Sequence, residues 1–185
     1  MNLKNADLWD KLQRFGFDEP ATTFRFVDRL AKENHWSLER ATRAIDEYRR
    51  FLYLAATAGH PVSPPDEVDQ VWHLHLMYTR SYWEHLCKQT LGMTLHHEPT
   101  RGGSDETAKF ADWYARTLES YADAFGHAPP TDVWPPPGQA RLPDYQRVDL
   151  SRYLVLPRAG PVLIGVLVLV VAMIVALLVL AISAG

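Results

Sequence analysis

Cysteine is almost missing from this sequence: Cys87 is the single one in 185 residues. An internal disulfide is thereby excluded, and the chain suits a reducing compartment. An excess of positive charge is missing too, since 19 Lys and Arg stand against 22 Asp and Glu for a formal net charge of -3. Without a basic footprint, no nucleic acid is expected among the partners. Neither an HExxH pair, a glycine-rich phosphate loop, a GxSxG elbow nor a CxxC pair occurs. The common metalloprotease, nucleotide-binding, hydrolase and thiol-redox readings thus lose their sequence warrant, which weighs against an enzyme. The opening stretch, MNLKNADLWDKLQRFGF, lacks the continuous apolar run of a secretory signal. Alternating strand patterns are scarce as well, and the expected fold class is all-α, a helical bundle of about four helices.

Those helices are read from apolar spacing and from their ends. Phe26, Val27 and Leu30 predict a short helix within 22–35. Ser37 then caps a longer one, with Ala41, Ala44, Ile45, Tyr48, Phe51, Leu52 and Ala55 inward and Arg40, Arg43, Glu47 and Arg50 outward; Gly59 and Pro61 close it. The run Ser63, Pro64, Pro65, Asp66, Glu67 reads as a helix start, because proline is tolerated in the first turn and acidic groups favour the positive end of the dipole. With no glycine or proline before Gly92, residues 64–91 are expected to form one long helix. A loop over 95–103 follows, then a helix over 105–125 capped by Ser104, with Phe110, Trp113, Tyr114, Leu118 and Tyr121 inward and Gly126 at its end. The proline-rich segment APPTDVWPPPG cannot be helix or central strand, and Trp134 is expected to fold back onto the bundle.

The C-terminal part differs in kind. After Arg158 no charged residue appears, and residues 162–182 are almost wholly Val, Leu, Ile, Ala and Met. That length matches the about 20 residues a helix needs to cross a hydrocarbon core, so one C-terminal transmembrane helix is expected over 161–183. Arg141, Arg147, Arg152 and Arg158 precede it and nothing basic follows. By the positive-inside rule, this predicts a single-pass, tail-anchored protein of the cell membrane with a cytoplasmic N-terminal domain. The expected organisation is a helical domain over 1–136, a linker over 137–160 and the membrane helix, with the lipid bilayer as one partner.

Five of the eight histidines lie between His73 and His97. Imidazole and carboxylate are common ligands of transition metals, so Asp69, His73, His75, His96 and His97 form the candidate set for one ion, zinc or iron. On a helix, Asp69 and His73 are four apart and share a face, whereas His73 and His75 point in nearly opposite directions. A helical site therefore takes Asp69 with His73, or His75 alone, and adds His96 or His97 from the following loop. His75 falls in the apolar stripe of Val68, Val71, Trp72, Tyr82 and Leu86, where a histidine fastening the core by hydrogen bonds is the plainer reading. A nucleophile–base pair of Cys87 and His85 is rejected, since two residues apart on a helix they face different ways.

The run YRRFLYLAATAGHPVSPPDEVDQVWHLHLMYTRSYWEHL, followed by LGMTLHHEP and FGHAPPTDVWPP, resembles the glycine-rich domain-containing protein family over about residues 48–136. The resemblance is carried by Asp69, Val71, Trp72, His73 and His75, then Tyr82, then His96, His97 and Pro99, then Trp134, Pro135 and Pro136. It implies a fold neighbourhood and no established activity. This chain departs from the family's name, having 10 glycines and no glycine-rich segment. Taken together, these features predict a membrane-tethered binding or scaffold domain, an accessory subunit of a membrane complex that meets a membrane or cytoplasmic protein through Trp134, Pro135 and Pro136. The competing prediction is a metal-dependent enzyme or metal-binding protein built on the histidine cluster.

Overall fold

The computed structural model describes residues 2–98, 102–139 and 161–183. It divides the chain into two compact units, Met1–Leu142 and Pro143–Gly185. Among the described residues every regular element is helical and there is no strand, as an all-α class requires.

The first unit begins with a helix missing from the four expected, α1 (Ala6–Arg14). Asn5 caps it by accepting the Leu8 N–H at 3.0 Å, and Leu8, Trp9 and Leu12 form its buried stripe. Helix α2 (Phe26–Asn34) starts where the Asp18 carboxylate accepts the Phe26 N–H at 2.7 Å, and buries Phe26, Leu30 and Ala31. The centre of the bundle is α3 (Leu38–Thr57), capped as expected by Ser37, whose hydroxyl accepts the Arg40 N–H at 3.2 Å. It packs against α1, α2, α4 (Asp66–Met77) and α5 (Ser104–Phe125). Ala41, Ala44, Tyr48, Phe51 and Leu52 are all fully buried in it.

The single helix expected over 64–91 is in fact two. Helix α4 stops at Met77, Tyr78 leaves helical geometry (φ -87°, ψ 62°), and a π-helix, Ser81–Leu91, follows. No glycine or proline marks the break because it is tertiary: Tyr78 packs on Phe26, with centroids 5.3 Å apart, and its hydroxyl accepts the Arg29 guanidinium N–H at 3.0 Å. The wider turn then brings Tyr82, Leu86 and Cys87 to one buried face, a spacing of four and then five from Tyr82. Gly92, in the left-handed region at φ 69°, ends it.

Helix α5 is preceded by Gly103 at φ 98°, a conformation that suits glycine, so Gly103 and not Ser104 holds the cap position. Its C-terminal half supplies the core residues Thr117, Tyr121 and Phe125, whereas Phe110 and Trp113 are half-buried. Past Gly126 the chain folds back as expected: Trp134 is 1% exposed, and its indole N–H donates to the Glu47 carboxylate at 2.9 Å. The same carboxylate oxygen accepts the Tyr121 hydroxyl at 3.0 Å, while its other oxygen accepts from Arg50 at 3.0 Å.

In the second unit the described element is α6 (Pro161–Ser183). Here the expected membrane helix has to be corrected: among the described residues, no helix is long and apolar enough to cross a membrane. A span needs about 20 consecutive apolar residues, and no helix among the described residues meets that requirement of length and apolarity together. The tail anchor, the single-pass cell-membrane location, the cytoplasmic orientation and the bilayer as partner lose their basis with it. Arg141, Arg147, Arg152 and Arg158, and most of the linker expected over 137–160, lie outside the described residues.

Candidate metal centre

Helix α4 carries the first half of the site. Positions 66, 69 and 73 recur at three and four residues and so share one face, turned away from the Val68, Val71 and His75 stripe that enters the core. The acidic side chains of Asp66, Glu67 and Asp69 in the first turn also suit the positive end of the helix dipole. The second half comes from the loop after Gly92, which returns His97 to this face. The His97 Nε2–H donates to Asp69 Oδ1 at 2.8 Å, and His73 Nε2 lies 3.5 Å from Asp69 Oδ2. The two imidazole rings are 4.6 Å apart, and one ligand atom from each of Asp69, His73 and His97 can be chosen so that all lie within 4.8 Å of one another.

Donors around a zinc ion, bound at about 2.0–2.1 Å, stand roughly 3–3.5 Å from each other. The 2.8 Å and 3.5 Å separations already fall near that range, and His73, whose side chain is 50% exposed, has room to close the third. Asp69 and His97 line an open cleft of about 620 Å³ together with Asp66, Trp72, Phe110 and Trp113 among others, and His73 lies beside it. Burial, aided by the neighbouring Asp69 charge, raises the Asp66 carboxyl above its ordinary range. Trp72 meets His97 edge-on at 4.4 Å and backs the imidazole from the core side.

Of the five candidate ligands the structure gathers three. His96 rims the same cleft but is exposed and lies against Trp83, at 5.7 Å between centroids, outside the trio. His75 is elsewhere: fully buried, with Nδ1 3.2 Å from the Tyr48 hydroxyl and Nε2 3.0 Å from Ser81 Oγ. Phe15, Phe17, Phe26 and Tyr82 surround it. The resemblance residue Pro99 lies outside the described residues. Of the three residues named as a partner surface, Trp134 is in the core, while Pro135 and Pro136 are half-buried. Sequence reasoning missed the α5 wall of the cleft, because Phe110 and Trp113 lie on a helical stripe that reads as core.

Desolvation lowers the His75 pKa to about 3, so it stays neutral in the folded protein at any ordinary pH. An unfolded chain, with histidine near 6.5, takes up that proton first on acidification. The stabilisation is therefore complete above about pH 6.5 and is lost as pH falls toward 3, at up to about 1.4 kcal/mol per pH unit. In urea titrations at pH 7, 5.5 and 4.5, the wild type should lose more stability on acidification than a His75→Gln variant does. Parallel losses in the two proteins would contradict this role.

The fold and the cluster together define a helical domain with an Asp–His–His trio beside a cleft. The model of the UCP032817-like family matches residues 15–111, more than half of the chain, and the chain belongs to this family. It is also similar to glycine-rich domain-containing protein 1 of Arabidopsis thaliana, 23% identical over 141 residues, a match covering 68% of this chain and 17% of that protein. The chain thus spans about a sixth of that relative's length. These matches bear out the resemblance read from the DxVWHxH, HHxP and WPP motifs. No solved structure matches the chain.

Proposed function

We propose that this domain binds one divalent transition metal ion, zinc or iron, through Asp69, His73 and His97. The observation that carries the proposal is the convergence of one carboxylate and two imidazoles from two separate chain segments within 4.8 Å. Two imidazoles and one carboxylate are a donor set used by zinc and non-haem iron sites, with further positions left to water or substrate. Asp69 and His97 line the cleft, so a ligand bound there beside the ion would meet Trp72, Phe110 and Trp113. A metal so held supplies Lewis acidity and an acidified water, and the cleft supplies a half-apolar seat for a substrate beside it. A scaffold reading has less support, because Trp134, its chief contact residue, is buried.

Full-length protein purified without chelators and analysed for its elements should carry about one equivalent of zinc or iron per chain. Stripped protein should take up one equivalent again in calorimetric titration. Protein that carries no stoichiometric metal and takes up none would overturn the proposal.

A further inference from the structure

The loop that carries His97 is tied down at two places by one buried relay. After Gly92 turns the chain, the Met93 N–H bonds the Cys87 carbonyl at 3.1 Å, closing the end of the π-helix. Two residues on, the Leu95 carbonyl accepts the Tyr82 hydroxyl, and that hydroxyl oxygen in turn accepts the Trp72 indole N–H at 2.9 Å. Tyr82 is fully buried and Trp72 is 6% exposed, so the bond between them is shielded from bulk water, and the bond to the half-buried Leu95 is partly so. Burial holds the Tyr82 phenol well above its ordinary pKa, which keeps it a proton donor to the loop. The relay's other end reaches the same loop through the ring of Trp72, set edge-on to His97 at 4.4 Å.

We infer that Tyr82 is a positioning residue of the metal centre, acting through Leu95 and Trp72 to hold His97 against Asp69; its consequence for metal affinity rests on the metal-binding reading above. Leu95 and His97 are two residues apart, a chain length of about 7 Å at most. Release of the carbonyl at position 95 therefore frees the chain within one short link of the imidazole at 97. The π-helix has a use in this scheme: it starts at Ser81, immediately before Tyr82, and its wide turns place Tyr82 on the same buried face as Cys87. Tyr82 touches none of the three ligands' donor atoms, so its influence is geometric.

Tyr82→Phe keeps the ring and removes only the shared hydroxyl. Two readouts separate positioning from simple support of the core. In metal-free protein, the imidazole signals of His97 in nitrogen-15 spectra should shift in Tyr82→Phe and stay in place in Tyr121→Phe, an equally buried tyrosine bonded to Glu47 instead. In metal-loaded protein, zinc affinity measured against a chromophoric chelator should fall about tenfold or more in Tyr82→Phe and stay level in Tyr121→Phe, as for partners that orient a ligand. If the single variant does not fold, the Trp72→Phe, Tyr82→Phe double variant, compared with Trp72→Phe alone so that the altered Trp72–His97 ring contact is common to both, serves for both readouts. Unchanged His97 signals in a folded variant overturn the inference whether or not metal binds, as does an unchanged zinc affinity. A wild type that binds no zinc, with His97 signals that still move in Tyr82→Phe, overturns the metal reading and leaves the positioning role standing.

Discussion

Asp69→Asn should lower the affinity of the protein for zinc by more than about 100-fold, beyond the 10–100-fold typical of groups one shell further out. The carboxylate faces both histidines, one oxygen 2.8 Å from His97 Nε2 and the other 3.5 Å from His73 Nε2. The amide keeps its volume but removes the charge and one of the two acceptors. Stability should change by less than about 1 kcal/mol, because Asp69 is only half-buried and its partners remain within reach of water. His97→Ala should lose the ion as completely. His96→Ala and His75→Gln should keep it, the first because His96 lies against Trp83, the second because His75 is bonded to Tyr48 and Ser81. Competition titration with a zinc chelator reads all four variants. Equal losses at His96 and His97 would mean that the loop rather than a ligand had been measured.

The second large effect is structural. Glu47 is 5% exposed and satisfies three groups at once: the Tyr121 hydroxyl, the Trp134 indole and the Arg50 guanidinium. Glu47→Ala should cost about 3–5 kcal/mol, since removing one partner of a buried pair leaves the other charge uncompensated. Trp134 N–H and Tyr121 O–H would be stranded as well. Burial of Tyr121 next to Glu47 raises its phenol above the ordinary range, so it cannot relieve the loss by ionising. Glu47→Gln, which retains an acceptor oxygen, should cost clearly less. Urea midpoints give both values, and Trp134 emission should shift to the red in the alanine variant as the 130–136 segment comes away from α3. An alanine variant as stable as wild type would show that the segment is held by ring packing alone, the Tyr114 and Tyr121 contacts at 6.3 and 5.6 Å.

Elements that rest on local rules were legible in the sequence. The Ser37 cap, the apolar α3 stripe from Ala41 to Leu52 and the Gly126 stop sit where spacing and end signals put them, whereas Glu47, expected on the outward face of α3, is buried by the returning Trp134 segment and Tyr121. Asp69 and His73 were paired by helix geometry alone, and His75 was assigned to the core stripe by the same rule. Features that depend on distant contacts were not legible. The break at Tyr78 comes from Arg29 and Phe26, some fifty residues earlier, and leaves no glycine or proline as a sign. Choosing His97 over His96 needed the loop's path, which Tyr82 and Trp72 set. Helix α1 was passed over because its nine residues were weighed as a targeting segment and not for their Leu8, Trp9, Leu12 stripe. The membrane helix was inferred from the length and apolar content of residues 162–182, and among the described residues no helix is long and apolar enough to cross a membrane.

One measurement bears most directly on whether Asp69, His73 and His97 share an ion: zinc-edge X-ray absorption on the stoichiometric zinc complex of the full-length protein. Two imidazole nitrogens and at least one oxygen donor at about 2.0–2.2 Å, with no sulfur, are expected, and the Asp69→Asn variant should lose that signature. A spectrum with a single imidazole, with sulfur from Cys87, or unchanged in Asp69→Asn would contradict the assignment.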